Sequence, residues 1–403
     1  MKILHTSDWH LGHSLYNYDR TAEQQSFLEQ LARIVATEKP DALVVSGDIY
    51  HYSTPSAATQ KMYTDAMLDI HEACPTMTMA VTAGNHDSSS KLEIDSSLWQ
   101  HFGLNVVGCI ERTAEEVNLD KHIIEVRNGE EIQGYIVAVP HVYPQNFPLL
   151  DTDTPREERQ ARFFQALLDE VEKRNADRLP VVLMAHLSIE GSDRSGHDES
   201  IGGVEYVPLC TMGEGYNYLA LGHIHCPQDI KGSNRRARYC GTPLPVSFDE
   251  TEPHSVTVVE LDGHEEPQLR TVEIKNPIPL VTLPREPKPF EEALKELEEY
   301  PADKQAYIRL NVLLDNNYLA PDCHERAMSA AKGKACKYCY IKSTRGRQAA
   351  ETDGRHLSIQ EIQEKSPLDI ARLYYRETEG EEMDEELCEL MSEVLRQFNP
   401  KRE

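Results

Sequence analysis

A chain of 403 residues exceeds what one hydrophobic core usually holds, and a composition 39% hydrophobic and 27% charged is that of a folded protein of two or three domains, not a disordered or fibrous one. The formal net charge of −27 at pH 7 argues against a general nucleic-acid binder, because phosphate contacts demand a basic surface, so any such binding must be local. Nine cysteines scattered from Cys74 to Cys388, an opening Met1-Lys2-Ile3-Leu4-His5 without the apolar core of a secretory signal, and no run of membrane-spanning length lead us to expect a cytoplasmic protein with free thiols.

In chain order, the first 260 residues alternate short apolar runs with helical patterns, the signature of an α/β layered domain. Residues 3–4, 42–45, 79–81, 135–139, 181–184 and 218–221 are compact enough to be buried strands. Phe27, Leu31, Ile34 and Val35 follow helical spacing, as do Ala58, Met62, Ala66 and Ile70. In that second helix Met62, Met67 and Ile70 form a stripe with two readings, a homodimer seam or packing on the parent sheet. The proline-rich stretch from Pro277 to Pro289 reads as a linker. After it come a helix near Phe290 to Leu297, the alternating strand Tyr307 to Val312, and Cys339-Tyr340-Ile341 as its candidate partner. From Ser366 the pattern is helical again, with stripes at Ile370, Leu373 and Tyr374 and at Leu387, Leu390, Met391, Val394 and Leu395. The expected division is a catalytic domain over 1–275, a small α+β capping domain over 276–350 and a C-terminal helical tail over 351–403.

Chemistry is concentrated just after the strands, where α/β sheets build sites. Asp8 and His10, Asp48, Asn85 with His86 and Asp87, His186, and His223 with His225 each follow an apolar run. In an extended backbone, Asp8-x-His10 and His223-x-His225 would send each pair of side chains to one side. Gly47, Gly84 and Gly222 precede these groups, as expected where the backbone turns tightly or lets a ligand approach. A lone histidine after a strand is usually satisfied by a backbone hydrogen bond. Seven carboxylate, amide and imidazole groups together would be a costly buried cluster unless a cation compensated them. Two divalent ions are that compensation, and oxygen and imidazole donors without thiolate suit manganese or iron better than structural zinc.

In this order Asp-x-His, Gly-Asp, Gly-Asn-His-Asp, an isolated His and Gly-His-x-His are the motifs of the calcineurin-like metallophosphoesterases, which this chain resembles. The segments Lys2 to Gly12 and Arg238 to Glu250 are similar to those of bacterial SbcD-type nucleases in particular. The resemblance implies a layered β-sandwich flanked by helices. It assigns Asp8, His10 and His225 to one metal, Asn85, His186 and His223 to the other, and Asp48 as the bridge. It makes His86 a catalytic residue that stabilises the transition state or protonates the leaving oxygen, and His51 matches a second active-site histidine of archaeal relatives. It also implies DNA as substrate, with double-strand exonuclease and single-strand or hairpin endonuclease action in recombination, replication and repair. The implied partners are the coiled-coil ATPase SbcC and a second copy of the chain, in a heterotetramer. No Gly-x-x-x-x-Gly-Lys-Ser/Thr loop occurs, so ATP dependence would come from that partner.

Other features carry competing readings. Lys332, Lys334, Lys337, Lys342, Arg345 and Arg347 are either DNA contacts or a solvated face. Asp87 either orients a histidine or caps a turn, and His13 and His141 are expected at the surface. Cys336-x-x-Cys339 lacks two further ligands at a zinc-site spacing and is not read as one. A stand-alone phosphatase or cyclic-nucleotide phosphodiesterase would have no need of the region beyond the linker, and a non-catalytic scaffold would lack part of the ligand set. In the tail, Leu373, Tyr374, Leu390 and Val394 either face the partner ATPase or pack back on the capping domain.

Overall fold

Two six-stranded sheets face each other across a largely apolar interface. The structure is a computed structural model, describing residues 1–112, 117–148, 150, 155, 158–193, 206–262, 266–314 and 319–345 and isolated positions between 368 and 391. It divides into two units, Met1–Thr344 and Arg345–Glu403. In the first sheet β1 (Lys2–Thr6), β2 (Ala42–Ser46), β3 (Thr78–Thr82) and β4 (Leu104–Val107) run parallel. The second is built on β5 (Ile123–Asn128), β6 (Glu131–Ala138) and β7 (Val181–His186). The short strands β8 (Ser188–Ile189) and β9 (Tyr206–Val207) pair with each other beyond it. The second sheet is completed by β10 (Tyr218–Gly222), β11 (Gln228–Asp229) and β12 (Ala237–Tyr239), in the order β11-β12-β10-β7-β6-β5. Returning antiparallel, β13 (Ser255–Glu260) and β14 (Gln268–Glu273) close the first sheet beside β1.

Strand alternation explains the layering, because successive side chains point to opposite faces. Ile3, Val44 and Ala80 meet Ile136, Val182 and Ala220 between the sheets. Their neighbours Leu4, Leu43 and Met79 turn outward onto α1 (Thr21–Glu38) and α2 (Ala57–Ala73) through Phe27, Leu31, Met67 and Ile70. The one-turn helices α3 (Ser89–Leu92) and α4 (Ser96–Trp99) follow β3. On the far side, Leu183 and Leu219 pack on Phe163, Leu167 and Val171 of α5 (Arg159–Arg174). With both faces covered, the parallel strands read as continuous apolar runs. The stripe of α2 is used within the subunit: Met67 and Ile70 are buried and Met62 packs against the same core, while Gln60, Lys61, Thr64 and Asp65 are exposed. Met67 and Ile70 are therefore taken up by the subunit's own core, and of this stripe only Met62 stays partly accessible.

The expected linker is not one. Leu280–Lys288 forms β15, at the edge of a three-stranded sheet with β16 (Tyr307–Leu314) and β17 (Lys337–Arg345), backed by α6 (Phe290–Glu299) and α7 (Cys323–Ala331). Prolines are tolerated there because an edge strand leaves one row of amides unpaired. The register shift between Leu283 and Lys288 takes Pro284 and Pro287 out of the ladder. Contacts tie this sheet to the catalytic layers: Tyr307 donates its hydroxyl to Glu23 (2.7 Å), and Arg309 pairs with Asp249 (2.7 Å). Of the tail, Leu390 is 62% exposed and Cys388 is buried, whereas Leu373, Tyr374 and Val394 lie outside the described residues.

Candidate active site

Beyond their last regular pairs, β1 and β2 stay zipped. Asp8 N–H donates to Gly47 C=O (3.0 Å), His10 N–H to Asp48 C=O (3.0 Å) and Leu11 N–H to Ile49 C=O (2.9 Å), which sets Asp8 and His10 beside Asp48. The expectation of an extended Asp8-x-His10 is corrected here. Asp8, His10, Asp48 and His223 have φ of 53°, 46°, 51° and 99°, so left-handed turns, not strand alternation, aim these side chains. Such conformations are costly for residues with a Cβ and persist where the surroundings over-determine them. Gly47 (φ +85°) and Gly84 allow the close approach: a Cβ on Gly47 would lie 2.2 Å from His186 Nδ1, and one on Gly84 2.1 Å from Asp48 Oδ1.

The strand ends bring all seven predicted donors together. His10 Nε2 and His225 Nε2 are 3.2 Å apart, Asn85 Oδ1 is 3.0 Å from His186 Nε2 and 2.9 Å from His223 Nδ1, and Asp48 Oδ2 stands between, 3.7 Å from His10 and 3.5 Å from His186. Asp8, His10 and His225 form one group able to hold a metal ion, and Asp8, Asp48 and His186 another. Ligands about 2.1 Å from one ion in octahedral directions stand roughly 3 Å apart, so these spacings fit two cation positions on either side of Asp48. His186 Nδ1–H donates to Ser46 C=O (2.8 Å), which turns Nε2 toward the oxygens of Asn85 and Asp48 and calls for positive charge between them.

Electrostatics agree. Burial raises Asp8 to about 6, partly opposed by His186. Burial also works against charge on Asp48, yet His186, His10 and His86 hold it well below the usual carboxylate range. In His186 the Asp48 carboxylate outweighs burial and pushes the imidazole up to about 9, whereas burial drives His10 well down. Asp48 thus keeps its negative charge although buried.

His86 and His51 lie beside these groups. His86 donates its backbone N–H to Asp48 Oδ1 (2.9 Å) and its Nδ1–H to His51 C=O (2.9 Å), with its ring 4.9 Å from that of His10. His51 stacks on His86 at 5.3 Å, and its Nδ1 lies 3.5 Å from His10 Nδ1. Burial and His86 lower it to about 4.

Several supporting groups were missed or misread in the sequence. Glu250 lies 3.3 Å from His225 Nδ1 and accepts from Thr242 Oγ1 (2.6 Å), orienting that imidazole. Nothing in the spacing of Glu250 from His225 signals this. Asp87 is a loop clamp, its carboxylate accepting from the N–H groups of Gly84 (2.8 Å), Ile49 (3.1 Å) and Tyr50 (2.9 Å). His13 and His141 are not surface residues. The His13 ring is 4.6 Å from that of His51, and His141 donates Nδ1–H to His186 C=O (3.1 Å); burial lowers them to about 3 and about 4.

The basic stretch is largely committed to structure. Lys334 caps the C-terminus of α6 on the carbonyls of Leu297 (2.8 Å) and Tyr300 (2.9 Å), Lys337 lies over the rings of Tyr307 and Tyr18, and Lys342 pairs with Asp249 (3.0 Å). Lys332 and Arg345 are exposed, and Arg347 lies outside the described residues.

Residues 1–227 match the calcineurin-like phosphoesterase family, and residues 277–379 match the type 5 capsule protein repressor C-terminal domain, SbcD_C. The SbcD subunit of nuclease SbcCD from Rhodobacter capsulatus is 33% identical over 309 residues, 74% of this chain and 75% of the relative. The chain belongs to the SbcD family of calcineurin-like phosphoesterases. The SbcD subunits of Bacillus subtilis (28% identical; 98% of this chain, 97% of the relative) and Escherichia coli K12 (26%; 96% and 94%) extend the likeness over nearly its whole length. Among solved structures, TT1561 of Thermus thermophilus aligns with 68% of this chain and 99% of its own at 12% identity and a TM-score of 0.40. As an SbcD-family member the chain is a metal-dependent phosphodiesterase of nuclease type and binds divalent metal. Among the described residues no helix is long and apolar enough to cross a membrane.

Proposed function

We propose that this chain is the DNA-cleaving subunit of an SbcCD-type complex, working with two manganese ions and under the control of an SbcC-type coiled-coil ATPase. The observation that carries the reading is the convergence beside His86 of seven donors, six of them joined by separations of 2.9–3.7 Å and Asp8 grouped with His10, His225, Asp48 and His186. When bound, two divalent ions neutralise the phosphodiester oxygens and acidify a water. Asp48 works on both sides of that chemistry, Oδ2 facing both cation positions and Oδ1 holding the His86 backbone. The carbonyl of His51 occupies His86 Nδ1, leaving Nε2 as the nitrogen that meets the substrate and gives a proton to the leaving oxygen. Glu250 and Ser46 fix the rings of His225 and His186, so the donors keep their directions as substrate enters.

Double-strand exonuclease and single-strand or hairpin endonuclease action, in recombination, replication and repair, follow from the likeness to the SbcD subunits, as does a homodimer within a heterotetramer. The nine cysteines are free thiols, which suits the cytoplasm. Exposed Lys332 and Arg345 are the proposed phosphate contacts of the C-terminal region, and the proposed domains span 1–275, 276–350 and 351–403. End-labelled linear duplex and circular single-stranded DNA, digested with manganese or magnesium and with or without the ATPase, test the reading. Manganese-dependent cleavage of both, altered by the ATPase with ATP, is the expected result; intact DNA throughout would overturn it.

A further inference from the structure

Two tyrosines bracket the candidate site. Tyr52 is 56% exposed with its ring 4.5 Å from His51, and His51 in turn stacks on His86 and lies 5.4 Å from the ring of His10. Tyr143 is 42% exposed with its ring 5.0 Å from His141, which lies 6.0 Å from His186 and stacks at 6.4 Å on His223. One tyrosine thus flanks the His10–His86 side of the cluster and the other the His186–His223 side. Single exposed aromatic residues are ordinary on a surface, but these two abut histidines that line both halves of one site. Each meets its histidine nearly at right angles, at 74° and 82°. By contrast Tyr16, also exposed, is already stacked on Tyr340 at 4.6 Å.

We propose that Tyr52 and Tyr143 are stacking platforms for the nucleobases on either side of the scissile phosphate. The proposal rests on the nuclease reading and adds which side chains hold the bases beside the reacting phosphate. The net charge of −27 gives a strand little general attraction beyond the cations at the site itself, so contacts other than charge can add grip beside the reacting phosphate. Base–aromatic stacking supplies it without regard to sequence, since every base has a π-face.

The test compares a thymidine oligomer with an abasic oligomer of equal length, identical in backbone charge but without bases, as substrates of the full-length chain in manganese. Wild type should prefer the thymidine oligomer in kcat/KM, and Tyr52→Ala and Tyr143→Ala should each shrink that preference about tenfold, chiefly through KM. Tyr52→Phe and Tyr143→Phe should keep it, since stacking needs the ring and not the hydroxyl. A merely structural role would slow both substrates alike and leave the ratio unchanged, which overturns the proposal. A wild type that cleaves neither oligomer would remove the nuclease reading itself, a separate and distinguishable failure.

Discussion

His86 is held by two hydrogen bonds, one from its backbone to Asp48 and one from Nδ1 to the carbonyl of His51, so its ring can be exchanged without disturbing the core. His86→Gln should therefore lower kcat by about 10²–10⁴-fold, the span of a lost general acid, with an unchanged melting temperature. Steady-state kinetics in manganese beside a thermal melt check this, and a rate within a few-fold of wild type would remove His86 from the chemistry. Glu250→Gln leaves the shape of the side chain but removes the charge facing His225 Nδ1. Manganese affinity by equilibrium dialysis should fall about 10–100-fold, and unchanged affinity would deny Glu250 its supporting role. The clustering of these donors was legible in the sequence because polar groups at the ends of apolar strands have no packing role to explain them. Glu250 and His141 were not, because a carboxylate that steadies a ring looks like any other loop carboxylate; for Asp87 the turn-capping reading, one of two, is the one the loop hydrogen bonds support. An imidazole half-buried by tertiary packing likewise looks like a surface histidine.

The elements themselves were read from periodicity, and the failures have physical causes. Prolines hid β15, since their missing amides matter only in a paired row and the edge of a sheet offers an unpaired one. Left-handed turns at Asp8, His10 and Asp48 defeated the extended-chain argument, because nothing local betrays a conformation imposed by the neighbouring loop. Basic residues near β17 looked like a patch for phosphate, yet Lys334 spends its charge on the carbonyl end of α6. One further joint is testable at this scale. Arg20 and Glu23, each 2% exposed, form an ion pair at 3.5 Å beneath the Tyr307 hydroxyl, linking α1 to β16. Glu23→Ala would leave Arg20 buried with that pair broken and should cost about 3–5 kcal/mol, measured by urea unfolding. A loss under about 1 kcal/mol, the usual worth of an exposed pair, would mean the joint is solvated.

At the scale of the molecule, the candidate site is confined to one part of the chain. The residues that gather at the candidate site all lie before residue 251, while the C-terminal family match spans 277–379. Truncation after Gly354 should spare manganese-dependent cleavage of single-stranded DNA by the isolated chain and abolish co-purification with the SbcC-type ATPase. Co-purification of the shortened chain would show that the tail is not the dock. Partner identity was legible only through family resemblance, since an amphipathic stripe states that a surface is needed and not whose. The most direct test of the whole account is linearisation of circular single-stranded DNA by the full-length chain in manganese, wild type against Asp48→Asn, because Asp48 faces both cation positions and also holds His86. The account predicts cleavage by wild type that a chelator stops, and none by a folded Asp48→Asn; cleavage by that variant at the wild-type rate would contradict it.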